Sequence, residues 1–204
     1  ATNEDDVTHR IGIVKFSGNE SDQIGNDTYR SDGNTYNYSQ AVQDLTSVTG
    51  NVQSLKNAVN ELAAAGSTRT DFGLNQAQRV LDGDWQHGLG GAREEAKQVV
   101  VVFTDGEPST FSNWSGGVAA NAVNLAKDLK DDKVTVYTIG MFEDADPSDT
   151  DGRFNKYMNG VSSNYPNAEV TNWRGDRTQD WDDCKLGTRV TEGNYYFAAD
   201  DAEE

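Results

Sequence analysis

The prediction of the fold rests on VVVVFTDGEPS at residues 99–109. Its first six residues are apolar or β-branched without alternation, a pattern typical of a parallel strand that is buried on both faces. Asp105 and Gly106 then turn the chain, so the Asp105 carboxylate is predicted at the carboxyl end of the strand. Ligands of open α/β sheets collect at that end, which makes Asp105 a candidate site residue. On spacing alone, a turn or helix-capping carboxylate explains Asp105 equally well.

The segments around this stretch alternate between strand and helix patterns. Helices are predicted where apolar residues recur every three or four positions, and strands where short β-branched or aromatic runs occur. The predicted helices are residues 52–62, 71–81, 118–129 and 154–161, and the predicted strands are residues 10–17, 45–48, 99–104, 134–139 and 195–198. This order predicts an α/β fold with an open, doubly wound, mostly parallel sheet and helices on both faces.

The remaining segments complete one predicted domain. Residues 10–17 (RIGIVKFS) indicate a strand buried on both faces, and residues 18–39 indicate a long polar loop. Residues 143–152 form an acidic stretch, interpreted as a solvated loop because Gly152 is misplaced for an EF-hand. Residues 164–183 are expected to be mostly irregular. Without an internal repeat or a linker, residues 1–204 are predicted to form a single domain.

Composition excludes several classes of partner. The chain carries 34 Asp and Glu against 17 Lys and Arg, a net charge of −17, so nucleic acid and anionic lipid are poor partners. No apolar run approaches the ~20 residues that cross a bilayer, and membrane insertion is not expected. A surface rich in Asn, Asp and Thr and poor in Lys favours an extracellular location. The four N-x-[ST] matches, at Asn19, Asn26, Asn37 and Asn113, arise too easily by chance to predict glycosylation.

Enzyme chemistry and internal disulfides find little support. No His-Ser or His-Cys pairing and no phosphate-binding G-x-x-x-x-G-K-[ST] loop is present. A phosphatase of the D-x-D-G type would need a nucleophilic Asp where Phe103 stands. We therefore expect a protein that is not an enzyme. Cys184 is the single cysteine, and we expect it either to pair with a cysteine outside these residues or to be a free exposed thiol.

A second polar cluster, GSTRT at residues 66–70, precedes the helix predicted at 71–81. One interpretation is an N-cap, which Ser or Thr provides readily. However, GSTRTDFGL at 66–74 followed by VVVVFTDGEPS resembles two parts of the metal-ion-dependent adhesion site of von Willebrand factor A domains. The resemblance implies that Thr68 and Asp105 bind a divalent cation, Mg²⁺ first and Mn²⁺ or Ca²⁺ as substitutes. It also implies that the cation captures an acidic group of an extracellular protein or matrix ligand.

The resemblance continues over nearly the whole chain. Residues 156–168 (KYMNGVSSNYPNA) and 193–204 (GNYYFAADDAEE) resemble the closing part of this domain in surface and pilus-tip adhesins of Gram-positive bacteria. A cell-surface or cell-wall-attached adhesion module is therefore implied. A structural domain of a surface fibre, with a vestigial or purely stabilising metal site, is the alternative. An intracellular chaperone-type domain is a third option, weakened by the Asn-rich loops.

The front of the chain departs from the family pattern. The first-strand motif D-x-S-x-S does not occur, and the match at residues 146–150 is rejected because it lies in the acidic loop. The first strand and first helix are therefore expected to be missing from these residues. In the family that strand lies between the strands predicted at 10–17 and 99–104. We expect a gap there, filled by a leading N-terminal segment or by another chain, and direct pairing of the two strands would refute this alignment.

Overall fold

The computed structural model describes residues 9–18, 28–31, 34–37, 39–64, 66–83, 91–110 and 113–199. Within these ranges the strands are β1 (Arg10–Lys15), β2 (Thr28–Ser31), β3 (Asn34–Asn37), β4 (Gln40–Ser47), β5 (Val99–Thr104), β6 (Ser109–Thr110), β7 (Asn113–Trp114), β8 (Thr135–Gly140), β9 (Glu169–Val170), β10 (Cys184–Lys185) and β11 (Tyr196–Ala198). The helices are α1 (Val52–Asn60), α2 (Thr70–Asp82), α3 (Gly116–Asp131) and α4 (Arg153–Val161), with a 3₁₀ turn at Trp181–Asp183.

The centre of the fold is a parallel sheet of three strands in the order β11-β8-β5. Strand β5 has the bounds predicted from its apolar run, and it pairs with β8 along its full length, from Val99 opposite Thr135 to Thr104 opposite Gly140. Helix α3 connects β5 to β8, and α4 lies between β8 and β11 in the chain. The parallel sheet and its β-α-β order confirm the predicted α/β class. The predicted cover of helices on both faces is not found among the described residues, because the core helices lie over one face of the sheet.

The hydrophobic core lies between this sheet and the helices on one of its faces. Alternate residues of β5, Val100 and Val102, are buried there with Val136 of β8. Small side chains of α3 pack closely against them, and Tyr157 and Met158 of α4 complete the layer. Because the strands present side chains to both faces in turn, the helices are held over one face by every second residue.

The opposite face of the three-stranded sheet is open to solvent in the described part of the chain. Val99, Val101 and Phe103 are 41%, 45% and 56% exposed, and Phe197 of β11 is 44% exposed. Phe197 stacks on Tyr137 of β8 at 6.2 Å between ring centroids. An apolar parallel sheet normally has helices over both faces, so the sheet departs from the usual arrangement within the described ranges.

Strand β1 belongs to a different sheet. It pairs antiparallel with β4, with irregular register near Ile13. The prediction that residues 10–17 are buried on both faces is wrong, because Ile11 is 45% exposed and the other β1 residues are at most half-buried. The physical reason is that β1 has only β4 beside it in the described structure. Strand β5 does not pair with β1, so the outcome that would have refuted the alignment is not observed.

Local signals explain most element ends. Helix α2 ends before Gly83, whose left-handed φ of 77° forms the C-cap. Helix α3 begins after Ser115, whose Oγ accepts a hydrogen bond from the Val118 amide at 3.4 Å. Helix α1 ends at Asn60 rather than at residue 62 as predicted, because Leu55 is its one buried residue and Leu62 is exposed.

The polar segment at 18–39 was predicted as a loop, and that is wrong for its described part. Strands β2 and β3 form an antiparallel hairpin in which Ser31 pairs with Asn34. The sequence Asp-Gly lies between them, and this dipeptide is a strong hairpin signal that polar composition obscured. Residues 19–27 of the same segment, with Asn19 and Asn26, lie outside the described residues. No helix in the described ranges has the length and apolarity needed to span a membrane.

Candidate metal-binding site

Asp105 follows β5 directly and is exposed at its carboxyl end. The turn is built by its neighbour, since the Thr104 hydroxyl donates to the Gly106 carbonyl at 2.9 Å and accepts from the Gly106 amide at 3.3 Å. The capping alternative for Asp105 is wrong, because Ser115 caps the next helix. Asp105 itself makes no side-chain hydrogen bond or ion pair with the part of the chain that the structure describes. Its carboxylate is available to a ligand.

Thr68 lies against the turn that carries Asp105. The Thr68 amide donates to the Ser109 hydroxyl, the Ser109 amide donates to the Thr68 carbonyl, and both distances are 3.0 Å. The Thr68 hydroxyl oxygen is 3.0 Å from the position that a Cβ on Gly106 would occupy. A side chain at position 106 would therefore crowd this hydroxyl. The structure brings the two sequence-predicted positions into contacting loops.

The loop at 66–70 is also tied to the end of β1. Gly18 and Ser67 exchange two backbone hydrogen bonds, each of 3.1 Å. The buried Ser39 hydroxyl accepts from the Ser17 amide at 3.0 Å and donates to the Ser17 carbonyl at 2.7 Å. Three chain segments that are distant in sequence thus meet at one edge of the fold, which fixes the backbone around Thr68.

A buried ion pair that the sequence analysis missed supports this loop. Arg69 donates from Nε and from one terminal nitrogen to the two carboxylate oxygens of Asp71, both at 2.9 Å. The Arg69 guanidinium lies 3.5 Å above the Phe72 ring, and Asp71 also accepts from the Phe72 amide at 3.0 Å. Arg69 occupies the N-cap position of α2 without a side-chain cap bond, so the N-cap interpretation of residues 66–70 is wrong. The sequence signal was the i, i+2 spacing of opposite charges.

The second carboxylate of the turn has a partner. Arg153, at the start of α4, binds both oxygens of Glu107, at 2.7 and 3.1 Å, and lies 5.1 Å from the Trp114 ring centroid. The hydrogen bond to Glu107 raises the pKa of the Arg153 guanidinium. Glu107 is therefore engaged, and Asp105 is the carboxylate of the T-D-G-E turn that stays free for a ligand.

The donor set fits part of a hard-cation site. One free carboxylate and a nearby hydroxyl are oxygen ligands of the kind that Mg²⁺ prefers, but an octahedral ion needs further oxygens from water, a ligand or another segment. No group of three or more His, Cys, Asp or Glu residues suited to a metal ion exists within the described ranges. A site here would consequently carry few protein charges and keep much of the positive charge of its ion.

Side chains of the acidic stretch at 143–152 form hydrogen bonds that stabilise the conformation of the stretch itself. Asp146 accepts from the amide and hydroxyl of Ser148, and Asp149 accepts from the Gly152 amide. Asn155 bridges the stretch, donating to Asp149 at 3.0 Å and accepting from the Tyr196 hydroxyl at 2.6 Å. Hydrogen bonds from Ser148 and Gly152 respectively lower the pKa of Asp146 and Asp149. The structure contains a hydrogen-bonded loop here.

Cys184 is buried, with 7% of its surface exposed. The prediction of a free exposed thiol is therefore wrong as to exposure. Burial raises the pKa of the Cys184 thiol to about 11, although Lys156 and Lys130 oppose that shift. Such a thiol is protonated and unreactive at neutral pH.

Comparison with known proteins agrees with this architecture. The sequence profile of the von Willebrand factor type A domain matches residues 2–174, from before β1 to beyond β9. No curated protein matches the chain significantly. Domains of this kind generally mediate ligand binding and adhesion, often through a metal ion, and are often extracellular or surface-associated. Since the match covers well over half of its length, the chain belongs to the von Willebrand factor type A domain family.

Proposed function

We propose that this domain is an extracellular adhesion module, not an enzyme, which holds one divalent cation near Thr68 and Asp105. The observation that carries the proposal is that the free Asp105 carboxylate and the Thr68 hydroxyl lie on contacting loops at the carboxyl end of β5. Mg²⁺ suits this oxygen set best, and Mn²⁺ or Ca²⁺ can replace it.

The cation would capture an acidic group of a host or matrix ligand. A protein with a net charge of −17 repels acidic ligands on average. A cation held by few carboxylates keeps local positive charge and an open coordination position for a ligand carboxylate. Display on the cell surface or cell wall of a Gram-positive bacterium, as in pilus-tip adhesins, is the setting that the sequence resemblance supports.

The further cation ligands would come with a strand that completes the sheet. Strand β5 pairs on one edge with β8, and β1 lies in a separate sheet with β4. A strand inserted between β1 and β5 would satisfy the backbone groups of β5 that have no strand beside them and would join the two sheets. We propose that a leading N-terminal segment or another chain supplies this strand together with further hydroxyl and carboxylate ligands.

The test is Mn²⁺ titration of the full-length protein by calorimetry, with Asp105→Ala, Gly106→Ala and Asp132→Ala. Asp105→Ala should abolish cation binding, and Gly106→Ala should weaken it by crowding the Thr68 hydroxyl. Asp132→Ala is the matched control, because Asp132 is exposed beyond the end of α3 and its loss changes the charge equally. Unchanged binding in Asp105→Ala would refute the site.

A second candidate function is a structural domain of a surface fibre, with a vestigial or purely stabilising metal site. The open apolar face with Val99, Val101, Phe103 and Phe197 favours it, since an exposed patch of this kind indicates a packing partner. Adhesion to immobilised collagen or fibrinogen that needs Mg²⁺ and is lost with a chelator supports the adhesion module. Cation-independent assembly without ligand capture supports the structural domain.

A further inference from the structure

Residues 172–176 form an exposed turn, here named the tip. Its sequence is Asn-Trp-Arg-Gly-Asp. Trp173 is 84% exposed, and Arg174, Gly175 and Asp176 are exposed as well. An aromatic side chain of this size left in water at the end of a turn is typical of a contact residue, because Trp and Arg dominate the energetics of protein interfaces.

The tip is rigid although it is exposed. The Asn172 side-chain oxygen accepts from the amides of Arg174 and Asp176, at 2.8 and 3.0 Å. The Asn172 amide donates to the Asp176 carbonyl at 2.9 Å, and the Gly175 amide donates to the Asn172 carbonyl at 3.0 Å. Gly175 has a φ of 85°, which other residues adopt only with strain. A preorganised turn loses little entropy when it binds.

The base of the tip is anchored in the core. Val170 of β9 is fully buried and exchanges hydrogen bonds with the Asn124 side chain of α3, at 2.9 and 3.1 Å. Arg177 forms a two-bond ion pair with Asp128. Asp128 lies twelve residues after the start of α3, so the tip is about 18 Å along that helix from the end beside the Asp105 turn. The tip is therefore separate from the proposed cation site.

The two charged side chains of the tip, Arg174 and Asp176, have few partners among the described residues. The Arg174 guanidinium lies 4.6 Å from the Trp173 ring centroid and forms no ion pair with the described residues. The Asp176 carboxylate has one long contact of 3.4 Å from the Asn172 amide group. A partner must place an acidic group and a positive centre side by side to match both. A divalent cation held by acidic side chains meets this requirement, because it places a positive centre with open coordination positions directly beside a carboxylate.

We propose that the tip is a second binding surface, which docks Arg174 and Asp176 into a protein receptor whose pocket presents a carboxylate beside a divalent cation. The Arg174 guanidinium pairs with the carboxylate, Asp176 coordinates the cation, and Trp173 packs against an apolar wall of the pocket. Such a receptor is expected on cells that adhere to matrix proteins in a cation-dependent way.

The test is attachment of cultured fibroblasts, in Mg²⁺ medium, to wells coated with the full-length protein. We expect Asp176→Glu and Trp173→Ala each to reduce attachment about tenfold. Asp182→Glu is the matched control, because it lengthens an exposed carboxylate at a neighbouring site in the same way, and it should attach like the parent. A soluble peptide of residues 171–177 should compete, and the same peptide with the Asp176→Glu change should not. All variants should keep the parent melting temperature, because the changed side chains are exposed.

Asp105→Ala, assayed with and without chelator, distinguishes this proposal from the proposed function. Asp105→Ala removes the proposed cation site of the domain itself, and we expect its attachment to persist and to remain sensitive to chelator through the cation of the receptor. No attachment, equal attachment of Asp176→Glu, or chelator-insensitive attachment of Asp105→Ala would overturn the proposal. Mg²⁺-dependent self-association that Asp176→Glu abolishes would also overturn it, because the receptor would then be a second copy of this chain.

Discussion

The buried side chain of Lys130 makes the free energy of unfolding depend on pH. Its ammonium lies under the carboxyl end of α4 and donates to the carbonyls of Gly160, Ser162 and Tyr165, at 2.8, 3.3 and 3.0 Å. Desolvation by burial, aided by the neighbouring Lys127, lowers the pKa of Lys130 from 10.5 to about 7. These contacts cap α4, since the last carbonyls of a helix have no partner within it.

The lowered pKa predicts a stability that rises with pH. In the unfolded chain Lys130 stays protonated up to its ordinary pKa, whereas in the folded chain it releases its proton near pH 7. The unfolded state therefore binds more protons above pH 7, and the free energy of unfolding should increase between pH 7 and 9, by at most about 1.4 kcal/mol per pH unit. Urea unfolding at a series of pH values from 7 to 9 measures this increase in the free energy of unfolding. Lys130→Met should flatten the slope, and a parent slope that matches that of Lys130→Met would contradict the assignment.

At the scale of the element, β5 has two unlike faces. Val102 is 6% exposed and belongs to the hydrophobic core, whereas its neighbour Val101 is 45% exposed on the open face. Val102→Ala should lower the free energy of unfolding by about 2 kcal/mol, through lost burial and a residual cavity. Val101→Ala is the matched variant and should cost less than about 0.5 kcal/mol in this chain. Denaturant unfolding of both variants gives the comparison.

The variants Val101→Ala and Val102→Ala also test whether a further segment packs against the open face of the sheet. If a further segment covers the open face, the cost of Val101→Ala in free energy of unfolding should rise toward that of Val102→Ala when that segment is present. Equal small costs for Val101→Ala with and without the segment would show that nothing packs against this face.

At the scale of the whole molecule, charge is the dominant feature. A net charge of −17 on 204 residues makes the compact state repel itself, and four ion pairs among the described residues offset only part of this. Screening by added NaCl should therefore raise the melting temperature at neutral pH, with most of the effect reached near 0.15 M, where the Debye length is about 8 Å. Scanning calorimetry at increasing salt tests this. A melting temperature that falls with salt would mean that the surface ion pairs outweigh the general repulsion.

Elements that depend on local chemistry could be predicted from the amino-acid sequence. The apolar run at 99–104 is long, unbroken and bounded by a turn, so it predicted β5 to the residue. The three-to-four spacing of apolar residues predicted α2 and α3 nearly to their ends. The motifs that include Thr68 and Asp105 predicted the family, because short ordered motifs place chemically special residues at fixed points of a fold.

Contacts between segments that are distant in sequence became known from the three-dimensional structure. No local pattern predicts that Ser109 holds the Thr68 backbone or that Arg153 binds Glu107. The spacing of Arg69 and Asp71 indicates a pair, but it does not predict that the pair is buried. Burial is also a property of neighbours, so the uniform apolar run of β5 could not reveal that one face would be open. The same reason explains why β1 was predicted as buried and Cys184 as exposed. Local sequence sets the conformation of each segment, whereas packing between distant segments sets exposure, and exposure determines what each side chain can bind.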